Sequence, residues 1–465
     1  MIHMYKLNGL NIVVDANSGS IHCVDDLAYD VIELYRHAGS DDIVDRMLKK
    51  YAAEPEVTEP EIREVLSDVG ELVRAGTLFS ADDVAAAAAS SGVSGGDVRA
   101  LCLHVSHACN MSCDYCFAGQ GRYRGESALM PFETGRQAVD FLIRSAGNAR
   151  VLDIDFFGGE PLLNWDVVKR VVAYARRAEV IHDKLFRFTL TTNGVLIDDD
   201  VIEFCNREIY NVVLSLDGRR EVHDSRRRLN GAGSYDVILP KFRDFVGARG
   251  GRSYYMRGTY TGANVDFASD VLHMADLGFT ELSMEPVVAA PGSPGALTDA
   301  DLPALYAQYE LLALEMLKRE REGRGFTFYH YMLDLKGGPC IYKRVSGCGS
   351  GSEYLAVTPG GELYPCHQFV GDPEYRMGDV YSGVTNEALR DAFRSCGVYS
   401  RAECRECWAR LYCSGGCAAN SYRASGSIDG VHEFGCKLFK KRLECAIMMA
   451  VCRDPSYADA REEQT

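Results

Sequence analysis

Cys109, Cys113 and Cys116 stand in the run HACNMSCDYCFAG with CxxxCxxC spacing. Three thiolates on one short loop can hold three irons of a 4Fe–4S cluster and leave the fourth iron open to a small ligand. A zinc loop or three unrelated core thiols are the alternatives. Zinc loops favour paired CxxC halves closed by a second pair or by histidines, and no such partner lies nearby. A second set of cysteines follows far downstream. Cys348 and Cys366 bracket CGSGSEYLAVTPGGELYPC, where Gly361 opens a GxxxxC element. Cys404, Cys407, Cys413 and Cys417 follow in CRECWARLYCSGGC, and Cys436 comes after a gap. Thiolate-rich sites suit both zinc and iron–sulfur clusters, so the ligand types alone leave the metal open there.

The chain that must position these thiols has 465 residues, 47% hydrophobic and 25% charged. That length predicts two to four domains of ordinary globular composition. No stretch approaches the ~18 consecutive apolar residues of a membrane-spanning helix. The start, MIHMYKLNGLNIVV, lacks the basic region, long apolar core and cleavage site of a secretory signal. These features predict a cytoplasmic protein. A net charge of −16 argues against nucleic acid or an anionic membrane as the main partner, since both reward clustered Lys and Arg. Seventeen cysteines are anomalous for a compartment where disulfides are rare, and point to metal or redox chemistry. Nine of them fall between Cys340 and Cys436. Cys23, Cys102, Cys205, Cys445 and Cys452 are isolated and read as small buried hydrophobes; core or surface thiol is the default for Cys396.

Residues 1–80 read as two or three short strands followed by helices near 25–36, 41–51 and 59–75. The strands come from alternation in YKLNGLNIVVDANSGSIHCV with its Asn-Gly and Ser-Gly turns. Residues 81–98, rich in Ala, Ser and Gly, read as a linker. From 99 to 325, strand-like runs alternate with helical ones: ALCLHVS, VLDIDFF, RFTLTT, NVVLSL, SYYMRGTY and TELSMEPVV. Six βα units predict an α/β fold with a parallel sheet, too short for a closed eight-strand barrel and suited to a six-strand partial barrel. Active-site groups in such sheets sit at the carboxyl ends of strands, and the CxxxCxxC loop follows the first of them. From 326 to 455 the βα rhythm is lost, and metal clusters are expected to hold the loops. A disordered tail is expected over 456–465.

Other strand ends carry polar or glycine-rich turns. FFGGEPLL follows the second strand: Gly158 and Gly159 let backbone come close to a ligand, and Glu160 can accept hydrogen bonds from an ammonium group. TTNG at 191–194 and LSLDG at 214–218 close the next two strands. Each is alone no better than a turn. Glu285, closing the sixth strand, is either a polar cap or a contact to cofactor or substrate.

Together, CxxxCxxC with Tyr115 before its third cysteine, GGEP one βα unit later, and CxxCxxxxxCxxxC near the end resemble the radical S-adenosylmethionine (SAM) enzymes with a SPASM domain. The resemblance implies SAM on the open iron of the Cys109/Cys113/Cys116 cluster. It places the amino group near Gly158, Gly159 and Glu160, the carboxylate near Ser215 and Arg227, and the ribose or its surroundings near Thr192 or Asn193. It also implies two auxiliary 4Fe–4S clusters, three in all. Cys348, Cys366 and Cys417 would hold the inner one, with Cys340 a possible extra ligand. Cys404, Cys407, Cys413 and Cys436 would hold the outer one. A flavodoxin- or ferredoxin-type protein would be the reductant.

Residues 1–80 resemble the winged-helix, PqqD-like element that recognises precursor peptides. Their seven Lys or Arg against fifteen Asp or Glu have the wrong sign for DNA phosphates. An edge strand of such a fold can bind an extended leader peptide by strand addition. Over nearly the whole chain the sequence is similar to the SCIFF (six-cysteines-in-forty-five) peptide maturases. That resemblance implies thioether cross-links between Cys sulfur and carbon of an acceptor residue in a Cys-rich precursor peptide. One alternative is an anaerobic sulfatase maturase making formylglycine; that group has an aspartate after the cysteine matched by Cys366, where this chain has His367. The other is an iron–sulfur electron carrier or sensor with a regulatory winged helix.

Overall fold

The computed structural model describes residues 1–84, 97–289, 292–293, 295–333 and 341–455. Most of the 81–98 linker, the 456–465 tail and Cys340 lie outside the described residues.

The N-terminal unit is a three-stranded antiparallel sheet, β1 (Ile2–Leu7), β2 (Leu10–Asp15) and β3 (Ile21–Val24), with β2 central. Helices Asp26–Leu34, Ser40–Lys50 and Glu59–Arg74 follow, within one or two residues of expectation. The third starts on a capping box between Thr58 and Glu61 with Pro60 in its first turn, which satisfies amide donors that the helix itself leaves open. Val13, Val31, Ile32, Ile43, Met47, Ile62 and Val69 form this unit's own core.

The main sheet contains all six expected parallel strands: β4 (Ala100–Ser106), β6 (Val151–Gly158), β7 (Leu185–Thr192), β8 (Asn211–Ser215), β11 (Tyr254–Tyr260) and β12 (Glu281–Pro286). They lie side by side in chain order. Alternation explains them. In β6, Leu152, Ile154 and Phe156 are fully buried, packed with Val168, Val171 and Val172 of helix Trp165–His182. Asp153, Asp155 and Phe157 take the opposite face, as the period of two requires. A small second sheet joins β5 (Ser112–Cys113), β9 (Arg227–Leu229) and β10 (Ala232–Gly233).

The region after 326, expected to rely on metal clusters to hold its loops, adds strands and a long helix to the main fold. β13 (Thr327–Phe328) adds a parallel strand beside β12. β14 (Tyr354–Val357) pairs in parallel with β4, and β15 (Glu362–Tyr364), β16 (Gly378–Asp379) and β17 (Gly383–Val384) continue the sheet antiparallel, making eleven strands in all. Helix Glu433–Arg453 buries Leu438, Leu443, Cys445, Ile447, Met448 and Met449 against helix Leu302–Arg321. The C-terminal region therefore shares the apolar core of the main sheet. Cys102, Cys205 and Cys445 are core residues, at most 1% exposed. Among the described residues no helix is long and apolar enough to cross a membrane.

Candidate active site

The CxxxCxxC loop leaves the carboxyl end of β4 and is fixed at two points. Cys113 pairs in register with Arg227 through β5 and β9. At the loop's root, Gly159 N donates to Ser106 O and Glu160 N to Ala108 O, at 2.8 and 2.9 Å. A Cβ on Gly158 would lie 2.2 Å from Ser106 O, and one on Gly159 2.2 Å from Ala108 O. The space these glycines leave open is taken by backbone of the cysteine loop, so they serve loop packing directly. Burial pushes the Cys109 thiol up to about 11 and Cys113 to about 12, although the Arg227 guanidinium pulls Cys113 back. Thiols held protonated in this way release their protons when a metal takes the sulfur.

Glu160 organises the neighbouring strand ends. It is 1% exposed and accepts from Leu162 N, the Thr192 hydroxyl and Asn193 N at 3.1, 2.8 and 2.8 Å. Burial drives its carboxyl up to about 7 against those three bonds, which favour the carboxylate. Asn193 Nδ2 in turn donates to Asn110 Oδ1 at 2.8 Å and approaches Cys109 Sγ at 3.7 Å. Gly158, Gly159, Glu160, Thr192, Asn193 and the three cysteines therefore meet in one place.

Arg227 joins them from another side, in a partnership that sequence reasoning missed. Its Nε donates to Asp217 Oδ2 at 3.0 Å. Asp217 is fully buried and also accepts from the Tyr115 hydroxyl and from Thr259 N. It lies in the LSLDG turn, where it could have been noticed; its partners come from three other segments. Ser215 sits beside Arg257 in register at the end of β8. Glu285 belongs to a separate group, 3.4 Å from His330 Nε2 and 3.9 Å from Arg442 Nη1. Burial would raise its carboxyl, but His330, Arg442 and Arg257 outweigh that and hold it below the usual carboxylate range.

A second unforeseen group lies between the first cysteine loop and Cys366. His104, fully buried, hydrogen-bonds His107 ring to ring at 3.1 Å. Tyr123 stacks on His107 and donates its hydroxyl to Gly158 O at 3.0 Å. His367 packs against Phe117 and Phe157, with ring centroids 5.4 and 5.1 Å apart.

The downstream thiols fall into two groups by mutual electrostatic influence. Cys366, buried and pushed up to about 12, feels Cys417 and Cys348. Cys413, also pushed to about 12 by burial, feels Cys436, Cys404 and Cys407. Among the described residues no three His, Cys, Asp or Glu side chains converge as a site for a single metal ion. Thiols are the donor type that 4Fe–4S clusters take, and the CxxxCxxC loop offers three of them on one segment.

Residues 103–261 match the family model of the radical SAM superfamily. The serine-type anaerobic sulfatase-maturating enzyme of Bacteroides thetaiotaomicron is 24% identical over 362 residues, 70% of this chain and 83% of that one. The radical SAM cyclopropyl synthase TigE of Paramaledivibacter caminithermalis is 27% identical over 140 residues, 28% of this chain and 29% of that one. Among solved structures, native anSMEcpe with bound AdoMet aligns with a TM-score of 0.62 at 20% identity, covering 75% of this chain and 97% of that one. Streptococcus suis SuiB bound to precursor peptide SuiA aligns with a TM-score of 0.54 at 16% identity, covering 92% and 97%. At these identities the two structures speak to the fold alone. Residues 103–261 are thus similar to the radical SAM superfamily, and they lie inside an α/β fold similar to that of these two solved structures along most of its length.

Proposed function

We propose that the protein is a radical SAM peptide maturase that installs thioether cross-links in a ribosomally made Cys-rich precursor peptide. The observation that carries this reading is the CxxxCxxC loop at the carboxyl end of β4, with Asn193 held by Glu160 on one side and reaching Cys109 on the other. With SAM and a reduced 4Fe–4S cluster bound, such a site supplies a 5′-deoxyadenosyl radical able to take hydrogen from unactivated carbon. Cys109, Cys113 and Cys116 would hold that cluster. Glu160 offers a buried acceptor to the ammonium group of SAM. Asp217 holds Arg227 and Tyr115 in place beside Cys113. Cys348, Cys366 and Cys417 would hold the inner auxiliary cluster, and Cys404, Cys407, Cys413 and Cys436 the outer one, whose chemistry there is electron transfer.

Each linkage replaces one S–H and one C–H by an S–C bond, so the peptide loses two hydrogens. The N-terminal unit supplies the peptide's docking site. In this reading an extended segment of the peptide adds to the three-stranded sheet of that unit. Anaerobic reconstitution with SAM, reductant and a Cys-rich peptide tests the reading by mass spectrometry. A mass lower by two hydrogens per linkage is expected; an unchanged peptide overturns it.

The sulfatase-maturase relatives favour a second reading, formylglycine formation. His367 following Cys366, packed between Phe117 and Phe157, weighs against it. A sulfatase-derived Cys or Ser peptide that gains an aldehyde would establish it instead.

A further inference from the structure

Asn193 is placed with the SAM ribose by family resemblance, yet its side chain points elsewhere. Val195 N donates to Asn193 Oδ1 at 3.0 Å, and this bond fixes which end of the amide is which. The Nδ2 end is thereby turned to the cysteine loop, where it donates to Asn110 Oδ1 at 2.8 Å and reaches Cys109 Sγ at 3.7 Å. Its backbone N–H is held by Glu160 at 2.8 Å, so the residue cannot swing away without breaking a buried bond. The same sulfur receives Met111 N at 3.5 Å. Among the described residues, N–H donation of this kind is found for Cys109 and not for Cys113 or Cys116.

We propose that Asn193 is a positioning residue that donates a hydrogen bond to the Cys109 thiolate and so raises the reduction potential of the cluster on that loop. An N–H donor draws electron density from a ligating sulfur and stabilises the more negative, reduced state, one of the protein's main levers on cluster potential. Glu160, bound to the Asn193 backbone, ties this donor to the place offered to SAM. The inference rests on a cluster held by Cys109, Cys113 and Cys116, and is independent of thioether formation.

The test is an EPR-monitored redox titration of the anaerobically reconstituted full chain without peptide, following the reduced-cluster signal that SAM perturbs. Asn193→Asp keeps the shape and the acceptor for Val195 N but removes the donor; Asn193→Ala removes both. Both variants are expected to show a lower midpoint potential, with a several-fold smaller reduced fraction at fixed solution potential. Iron content and SAM retention in equilibrium dialysis should stay near wild type. A potential equal to wild type in Asn193→Asp overturns the proposal, and so does loss of SAM retention with an unchanged potential, which would return Asn193 to the ribose. If Asn193→Ala alone loses iron, the isosteric Asp variant decides. Absence of a SAM-perturbed signal in the wild type would instead refute the cluster itself.

Discussion

Glu160 is a carboxyl group closed off from solvent, held by three donors and turned to the end of β7, while its backbone N–H bonds the root of the cysteine loop. Burial places its titration at about 7, so it is neutral below that pH and ionised above it. On the proposed placement of the SAM ammonium group at Glu160, their attraction is then lost as pH falls through about 7. The dissociation constant for SAM should rise over that range, and Glu160→Gln should bind about tenfold more weakly with the pH dependence flattened. Equilibrium dialysis of the reconstituted enzyme without reductant measures both. Without a bound cation the stability sign is opposite: a raised carboxyl pKa contributes stability at low pH that is lost as pH rises through about 7. Asp217 is equally buried and is paired with Arg227. Asp217→Asn leaves the Arg227 charge buried without its partner and should lower stability by about 3 kcal/mol, read from urea unfolding. Glu160 was visible in the sequence because GGEP follows a strand at a fixed distance from CxxxCxxC. The role of Asp217 was not, because Tyr115, Arg227 and Thr259 come to it from separate segments.

Strands and helices reach their places for reasons that differ along the chain. The six parallel strands were legible because a period of two, with apolar side chains on the helix-facing side, leaves a clear mark over five to eight residues. β14 to β17 have only two to four residues each, too few for a period to show, so their addition to the barrel sheet could not be read. The long final helix was visible only as the apolar run ECAIMMAVC, whose partner, helix Leu302–Arg321, lies over a hundred residues earlier. Close approach between elements also changes what the glycines mean. At Gly159 a methyl group would meet Ala108 O at 2.2 Å and Gly121 Cα at 2.9 Å, both backbone atoms that cannot rotate aside. Gly159→Ala should therefore displace the cysteine loop from β6, lower stability by about 1–3 kcal/mol and reduce iron uptake by the first cluster. Iron counts and thermal unfolding of the reconstituted variant check this. Wild-type iron content would show that the loop tolerates the shift.

At the scale of the whole chain, the N-terminal unit is joined to the outer cysteine group. His3 stacks on Trp408 with ring centroids 3.8 Å apart, and its Nε2 lies 3.0 Å from Glu444 Oε1. Tyr5 donates its hydroxyl to Glu444 O. Arg410, 2% exposed and set between Cys407 and Cys413, donates to Asn17 Oδ1 and Asp82 Oδ2, both at 2.7 Å. A compositional break at 81–98 marked the end of the first unit but carried no sign of where that unit docks. The docking predicts that the two regions unfold together. The chain has two tryptophans, so Trp165→Phe leaves Trp408 as the single reporter at this joint. In that background, Trp408 fluorescence and far-UV circular dichroism should change at the same urea concentration. Arg410→Met keeps much of the volume but removes the donor that Asp82 and Asn17 share, a loss on the order of 1–2 kcal/mol for a charge-assisted pair whose Asp82 is partly exposed and keeps the Tyr399 hydroxyl. The fluorescence transition should then precede the dichroism transition, as the N-terminal strand lifts from Trp408 before the barrel melts. Iron held by the barrel loop should survive that first step, because its ligands lie at the mouth of a sheet with its own core. Coincident transitions in Arg410→Met would show that the joint does not depend on Arg410 and that the His3–Trp408 stack is sufficient to hold it.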